Sequence, residues 1–516
     1  GIKNSRFSYF DHNLKKEGER SFLNEFSLNN INIRIKKINI GKEEVSCNIK
    51  LLSFMDKSKF EVKKFTTKIN VDKNSLELND LSLYTNKSNF KASTIKLIYT
   101  DIKNLVNNFN KLYIETNIKT SKIFFKDIGY FYEPLKNKDD YVEFSFVSKG
   151  ILSDIRFRDV TIKTGRATVF KGNIAVTGIP NFNDSYYFID AKELTILYND
   201  IEEYINQLGN KEIKNKSDFF KKLGYVSFKG NFNGFLNDFV TFGTVNNDLG
   251  KINLDILLRP KSKNNVEFNG EIDISDLKIG EILDIGNLIN DVSLNLIING
   301  SINENKKINS NLNGFISKIS IKDYLLKNIS TKGTITNNVF SGNTSIHDSL
   351  IYIDVSGIFD FNKEHPSYEF ISDIRSINLM ALKIIPKDSI NSLSCNIKAN
   401  FRNNSINEME DQISIKDLKL SKYHKSFKIN NIDIIALNND TFKKTIINSD
   451  IGDIVLHGKY NFKTLLTEFN EVYNSFINFK KDNGTFKTQN YFDFDMYFKN
   501  INEIADFFNI PIHSDN

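Results

Sequence analysis

Tryptophan is absent from this sequence, and proline, with 6 residues, and cysteine, with 2, are scarce in a chain of 516. With so little proline and no Gly/Ser-rich stretch, there is no linker at which conventional domains would part. Length alone suggests about three domains. The texture is nevertheless uniform, so one continuous element over 1–516 is expected, with no clear internal boundary. Cys47 and Cys395 lie far apart, each in a strand-like stretch. They read as small apolar residues and do not reveal the redox compartment. No run of 18 apolar residues occurs, which excludes a transmembrane helix within these residues. No signal peptide is present either. The chain opens at Gly1 in polar text and closes on Ser514-Asp515-Asn516 without a terminal signature, as expected of a piece of a longer protein.

Charge of one sign is also lacking. Lys and Arg number 69 against 63 Asp and Glu, a net +6. The two signs are interspersed on polar positions with no basic stripe, so no nucleic-acid partner is expected. Heavy use of Ile, Lys and Asn fits A+T-rich codon bias. Catalytic signatures are missing too. His12, His347, His365, His424, His457 and His513 are scattered, and none has a second His or Cys at metal-ligand spacing. No nucleophile elbow, P-loop or dinucleotide fingerprint occurs. Gly230-Asn231-Phe232-Asn233-Gly234 lies within alternating text, with no helix or Lys-Ser/Thr after it, and reads as strand. The expectation is a protein without catalysis, cofactor or metal.

What is present is period-2 alternation, almost without a break. Val266 to Ser275 alternates apolar and polar, as does Leu393 to Phe401. Side chains on a strand point to opposite faces with this period, so such text makes sheet with one oily and one wet face. The oily positions include Ile33; Val226, Phe228 and Phe232; and Ile252, Leu254 and Ile256. Further on come Phe268, Ile272 and Ile274; Val292, Leu294 and Leu296; and Ile351, Ile353, Val355 and Phe359. Leu393 and Ile397, then Phe492 and Phe494, complete the set. After Ile35, the Lys36-Lys37 pair shifts the phase before Ile38 and Ile40, which predicts a β-bulge. Hairpin turns are expected at Asn337-Asn338 and Asn483-Gly484.

The period changes at a few places. Ile201, Tyr204, Ile205 and Leu208 have helical spacing, and Ser217-Asp218 precedes Phe219, Phe220 and Leu223, giving helix candidates near 199–223. Leu465, Phe469, Val472 and Phe476 predict an amphipathic helix near 464–480, packed on the sheet.

Several landmarks then follow in order: Gly129-Tyr130-Phe131-Tyr132-Glu133-Pro134-Leu135, Gly178-Ile179-Pro180-Asn181, and Leu223-Gly224-Tyr225 running through Gly230 to Phe235. Asp238-Phe239-Val240, Gly243-Thr244 and Leu249-Gly250-Lys251-Ile252 continue the series. Their order and spacing resemble the amino-terminal half of TamB-type translocation and assembly module proteins of the Bacteroidetes kind, in the AsmA-like superfamily. The resemblance covers most of residues 1–510. It implies a mainly β fold: a long antiparallel sheet curled into a taco-like hydrophobic groove, with a few short helices. It also implies a periplasmic, inner-membrane-anchored bridge that carries phospholipids to the outer membrane, with the anchor outside this chain. An outer-membrane barrel protein is the implied partner, and a role in outer-membrane protein assembly is the alternative.

The residues meet this from their own side. An oily sheet face that packs on no protein must be covered by something, and acyl chains would serve. About 35 strands at roughly 4.8 Å each would extend some 170 Å. Three other outcomes of the same text remain to be weighed: a closed sandwich, a transmembrane β-barrel, and an enzyme on a β-scaffold.

Overall fold

The computed structural model describes residues 1–10, 25–100, 109–200, 202, 221–262, 265–286, 289–303, 307–321, 324–361, 366–382, 390–403, 409–438, 442–462, 464–465 and 490–509. Their contacts divide the chain into two units, Gly1–Arg259 and Pro260–Asn516. The fold class is mainly β, as expected: the described residues form 27 antiparallel strands with a few short helices, not closed into a barrel.

The first unit holds β1 (Ile2–Phe10), β2 (Glu25–Ile40), β3 (Glu44–Asp56), β4 (Glu61–Asp72), β5 (Ser75–Tyr84), β6 (Asn89–Ile98) and β7 (Tyr113–Phe124). It continues through β8 (Tyr141–Ile151), β9 (Asp154–Thr164), β10 (Thr168–Thr177), β11 (Tyr186–Leu197), β12 (Tyr225–Phe235), β13 (Asp238–Asn247) and all but the last three residues of β14 (Gly250–Ser262). A one-turn helix, α1 (Phe125–Ile128), follows β7. From β1 to β14 each strand pairs antiparallel with its neighbour in sequence. Among the described residues no pairing returns from β14 to β1.

The second unit repeats the plan. It holds β15 (Asn265–Leu277), β16 (Ile289–Asn303), β17 (Ile308–Ile321), β18 (Tyr324–Thr336), β19 (Val339–His347), β20 (Ile351–Asp360) and β21 (Ser367–Asn378). Then come β22 (Ser392–Arg402), β23 (Glu410–Lys422), β24 (Lys425–Asn438), β25 (Lys443–Ser449), β26 (Gly452–Lys459) and β27 (Tyr491–Phe498). Neighbours again pair in order. Two helices accompany them, α2 (Ile279–Leu283) and α3 (Ile501–Phe508).

Local chemistry sets these strands. At Lys36-Lys37 the β2–β3 register slips between Lys36 and Asn39, and Lys37 takes φ 54°, so the expected bulge is there. Similar slips fall at Asp80, Asp159 and Asp276, each with positive φ. Asp and Asn tolerate this conformation better than branched residues, which suits them to bulges. The slip at Asp276 also keeps Leu277 on the same face as Ile274, although the two are an odd number of residues apart. Asn337 and Asn338, at φ 51° and 71°, close the expected β18–β19 hairpin. The turn expected at Asn483-Gly484 lies outside the described residues.

The helix candidates near 199–223 and 464–480 fall mostly outside the described residues. Asn199, Asp200, Glu202, Lys221–Leu223 and Thr464–Leu465 are described, and these are helical. A helix that was not expected is α3, whose Phe507 stacks on Phe427 of β24 at 5.5 Å. Ile501, Ile504, Ala505 and Phe508 carry the i, i+3, i+4, i+7 spacing that marks it.

An apolar sheet face as the candidate functional site

Residues paired across an antiparallel ladder point to the same face. Following the pairs therefore maps each face of each unit.

In the second unit one row runs Ile274, Leu294, Ile316, Ile329, Ile346, Ile353, Ile374, Cys395. Two residues along the strands runs Ile272, Leu296, Gly314, Thr331, Thr344, Val355, Ser372, Ile397, Ile415. A third row runs Phe268, Gly300, Ser310, Ile335, Phe340, Phe359, Tyr368, Phe401, Asp411, Ala436, Thr445, Leu456, Phe494, mostly apolar but crossed by Asp411, which forms an ion pair with Arg402. Val292 pairs with Leu277 and Ile319, and Ile351 leads through Ile377 and Leu393 to Leu420 and Phe427. Phe492, two residues before Phe494, shares that strand's face. The wet face reads quite differently: Asp273, Asn295, Phe315, Ser330, Ser345, Asp354, Asp373, Asn396, Lys416.

The first unit has rows of the same kind. One is Phe144, Ile162, Phe170, Leu194, Phe228, Val245, Ile252. Another runs Cys47, Ile69, Leu78, Ile95, Thr116, Ser148, Phe157, Ile174, Ile189, Phe232, Thr241, Ile256. Leu254 lies between them, opposite Gly243 and Gly230, and Val226 is the next position on β12. Ile33 belongs to the row Ile2, Ile33, Leu52, Phe65, Leu83, Phe90. Each expected oily position thus lies on the apolar face of its own unit.

Burial separates an open face from a sealed core. The expected positions are half-buried, except Val292, which is buried, and Phe494, which is exposed. Among the described residues the largest fully buried side chains are serines: Ser27, Ser121, Ser148 and Ser185. A sandwich of two sheets would bury its central Ile, Leu and Phe completely, and here no such layer forms among the described residues. Small clusters do exist, around Leu81, Ala92 and Ile118 in the first unit and around Phe427, Ile429 and Phe507 in the second. The second marks where α3 sits on the oily face.

Polar side chains on this face satisfy one another. The Thr116 and Ser148 hydroxyls are 2.7 Å apart, and those of Thr331 and Thr344 are 3.0 Å apart. Burial pushes the Cys395 thiol up, consistent with an apolar neighbourhood. Glycines also shape the face. Gly333, Gly342 and Gly357 pair in one row. A Cβ on Gly342 would lie 2.6 Å from the Gly333 Cα and 2.9 Å from the Phe340 ring, so strands and ring close over the space that side chains would fill.

At the strand ends, aspartates hold the turns. Asp200 accepts from the backbone N–H of Arg166, Ala167 and Thr168 and from the Thr168 hydroxyl. Asp127 accepts from Thr85 Oγ1 at 2.5 Å and from the N–H of Lys87 and Ser88. Burial pushes the Asp127 carboxyl up, but these hydrogen bonds outweigh it and hold it below the usual value. Alternation gives no signal for these caps.

No known protein family, curated protein or solved structure matches this chain. No helix among the described residues is long and apolar enough to cross a membrane.

Proposed function

We propose that this chain is a section of a periplasm-spanning bridge that passes phospholipids from the inner to the outer membrane along a hydrophobic β-groove. The observation that carries this reading is the apolar face itself. Rows of Ile, Leu, Val and Phe cross strand after strand within each unit, half-buried rather than sealed. Exposed apolar area on this scale must be covered to be stable in water, and acyl chains cover it without a matching protein surface. The resemblance to TamB-type proteins supports the same reading. With it come an anchor in the inner membrane and an outer-membrane barrel partner. Binding and passage, not bond chemistry, is the activity. Detergent-free extraction and mass spectrometry of the purified chain test it: co-purifying phospholipid is expected, and a lipid-free protein with this fold intact refutes it.

A second reading, a scaffold for outer-membrane protein assembly, is favoured by β27. Among the described residues this strand pairs only with β26, and Tyr491 is 86% exposed. An apolar edge of this kind can template a client strand.

A further inference from the structure

The loop after β7 is built with more support than a connection needs. Asp127 of α1, 5% exposed, takes three hydrogen bonds from the β5–β6 turn. The Phe124 N–H donates to Ser88 Oγ, and the Phe125 N–H to the Asp140 carbonyl. The N–H groups of Phe131 and Tyr132 both donate to the Ile128 carbonyl. At Gly129 a Cβ would lie 2.6 Å from the Lys136 nitrogen, so the chain doubles back tightly. Phe60, from the β3–β4 turn, braces the rings, 5.4 Å from Tyr130 and 5.0 Å from Phe131.

This frame presents large apolar groups to solvent: Phe131 is 49% exposed and Tyr132 58%, with Tyr130 and Ile128 beside them. Of the nearby carboxylates three are engaged, while Glu133, exposed beside Tyr132, and Asp140 have no ion pair among the described residues. Asp127 is capped by N–H groups, Asp139 is paired with Lys87 and Lys126, and Asp56 accepts from Ser58 and Phe60. Lys59 and Lys136 hold no carboxylate among the described residues.

We infer that this aromatic knuckle docks on an anionic phospholipid bilayer, with the rings at the headgroup level and the lysines over lipid phosphates. Tyrosine fringed by lysine suits that interface, its ring apolar and its hydroxyl wet, and phenylalanine adds apolar area beside it. A loop tip offers no groove for a protein segment, whereas a bilayer interface closes around any tip. The inference stands apart from lipid passage along the sheet.

The chain has no Trp, so Phe131→Trp gives a single reporter, with Tyr132→Trp as a second. Equimolar phosphatidylethanolamine and phosphatidylglycerol vesicles are expected to shift its emission to the blue and to shield it from an aqueous quencher. Phe131→Ser/Tyr132→Ser, with unchanged circular dichroism and melting, is expected to sediment with these vesicles about tenfold less than the parent. An Ile272→Lys background, altering the apolar sheet face, leaves the reporter's shift in place. Three outcomes overturn the inference: no shift with either reporter, equal sedimentation of the double variant, or an equal response on pure phosphatidylcholine. Crosslinking from Tyr132 to a protein in envelope membranes, without vesicle binding, also overturns it.

Discussion

Replacing Ile353 with lysine separates an open face from a core. Ile353 pairs with Ile346 on one side and Ile374 on the other, and it is half-buried. Complete burial of an isoleucine contributes about 1.5–3 kcal/mol, and a half-buried one contributes less. A lysine keeps its methylene stem against the same neighbours and lifts its ammonium off the face. The expected loss is therefore about 1 kcal/mol. Under a second protein layer the ammonium would be unpaired and dry, and losses above about 4 kcal/mol would follow. Ile329 stands in the same row but is buried, so Ile329→Lys should lose more, about 3 kcal/mol. Urea unfolding with hydrogen exchange over β19–β21 gives these values, and mass spectrometry gives the phospholipid retained. Ile353→Lys is expected to keep its fold and lose its lipid. Unfolding of β19–β21 in step with lipid loss would refute the open face.

Three further outcomes follow from particular contacts. Gly342→Ala should cost about 2–3 kcal/mol, because its Cβ meets the Gly333 backbone and the Phe340 ring; a neutral effect on the urea midpoint would show that β18 and β19 can part freely. Phe507→Ala should remove about 3 kcal/mol of α3 docking and raise amide exchange at 501–508, and unchanged protection there would contradict the Phe427–Phe507 stack as its anchor. The Asp127 carboxyl titrates below its ordinary value of 3.8 in the folded chain. Its contribution is therefore complete above the unfolded value and fades as pH falls through the folded one. The melting-temperature gap between the parent and Asp127→Asn should accordingly shrink below pH ~4; a gap independent of pH would refute the hydrogen-bonded carboxylate.

How far the sequence led depends on what each feature requires. Which face Ile272 or Phe232 occupies follows from the pleat alone, so alternation placed such residues correctly. The bulge at Lys36-Lys37 was legible because the phase of the isoleucines shifts there. Row membership was not, because which strand residue meets Ile353 depends on register, and register depends on turns and slips such as that at Asp276. Doublets were ambiguous in the same way. Of Ile297 and Ile298, the pairing sends Ile298 to the oily face beside Leu312 and leaves Ile297 exposed among Glu271 and Asn313. The aspartate caps carry no periodic signal, since each acts on a turn distant in sequence, Asp127 on Thr85–Ser88 and Asp200 on Arg166–Thr168.

The most direct measurement of the central claim is photo-crosslinking in intact cell envelopes from paired positions on the two faces. Phe268 and Phe232 each lie on the apolar face of their own unit, half-buried. Ile371 lies on the opposite face, between Ser356 and Lys398, and is 60% exposed. If exposed apolar area alone attracted lipid, Ile371 would capture the most. Phospholipid adducts are expected at Phe268 and Phe232 and none at Ile371. Adducts at Ile371 with none at the other two would contradict the central claim.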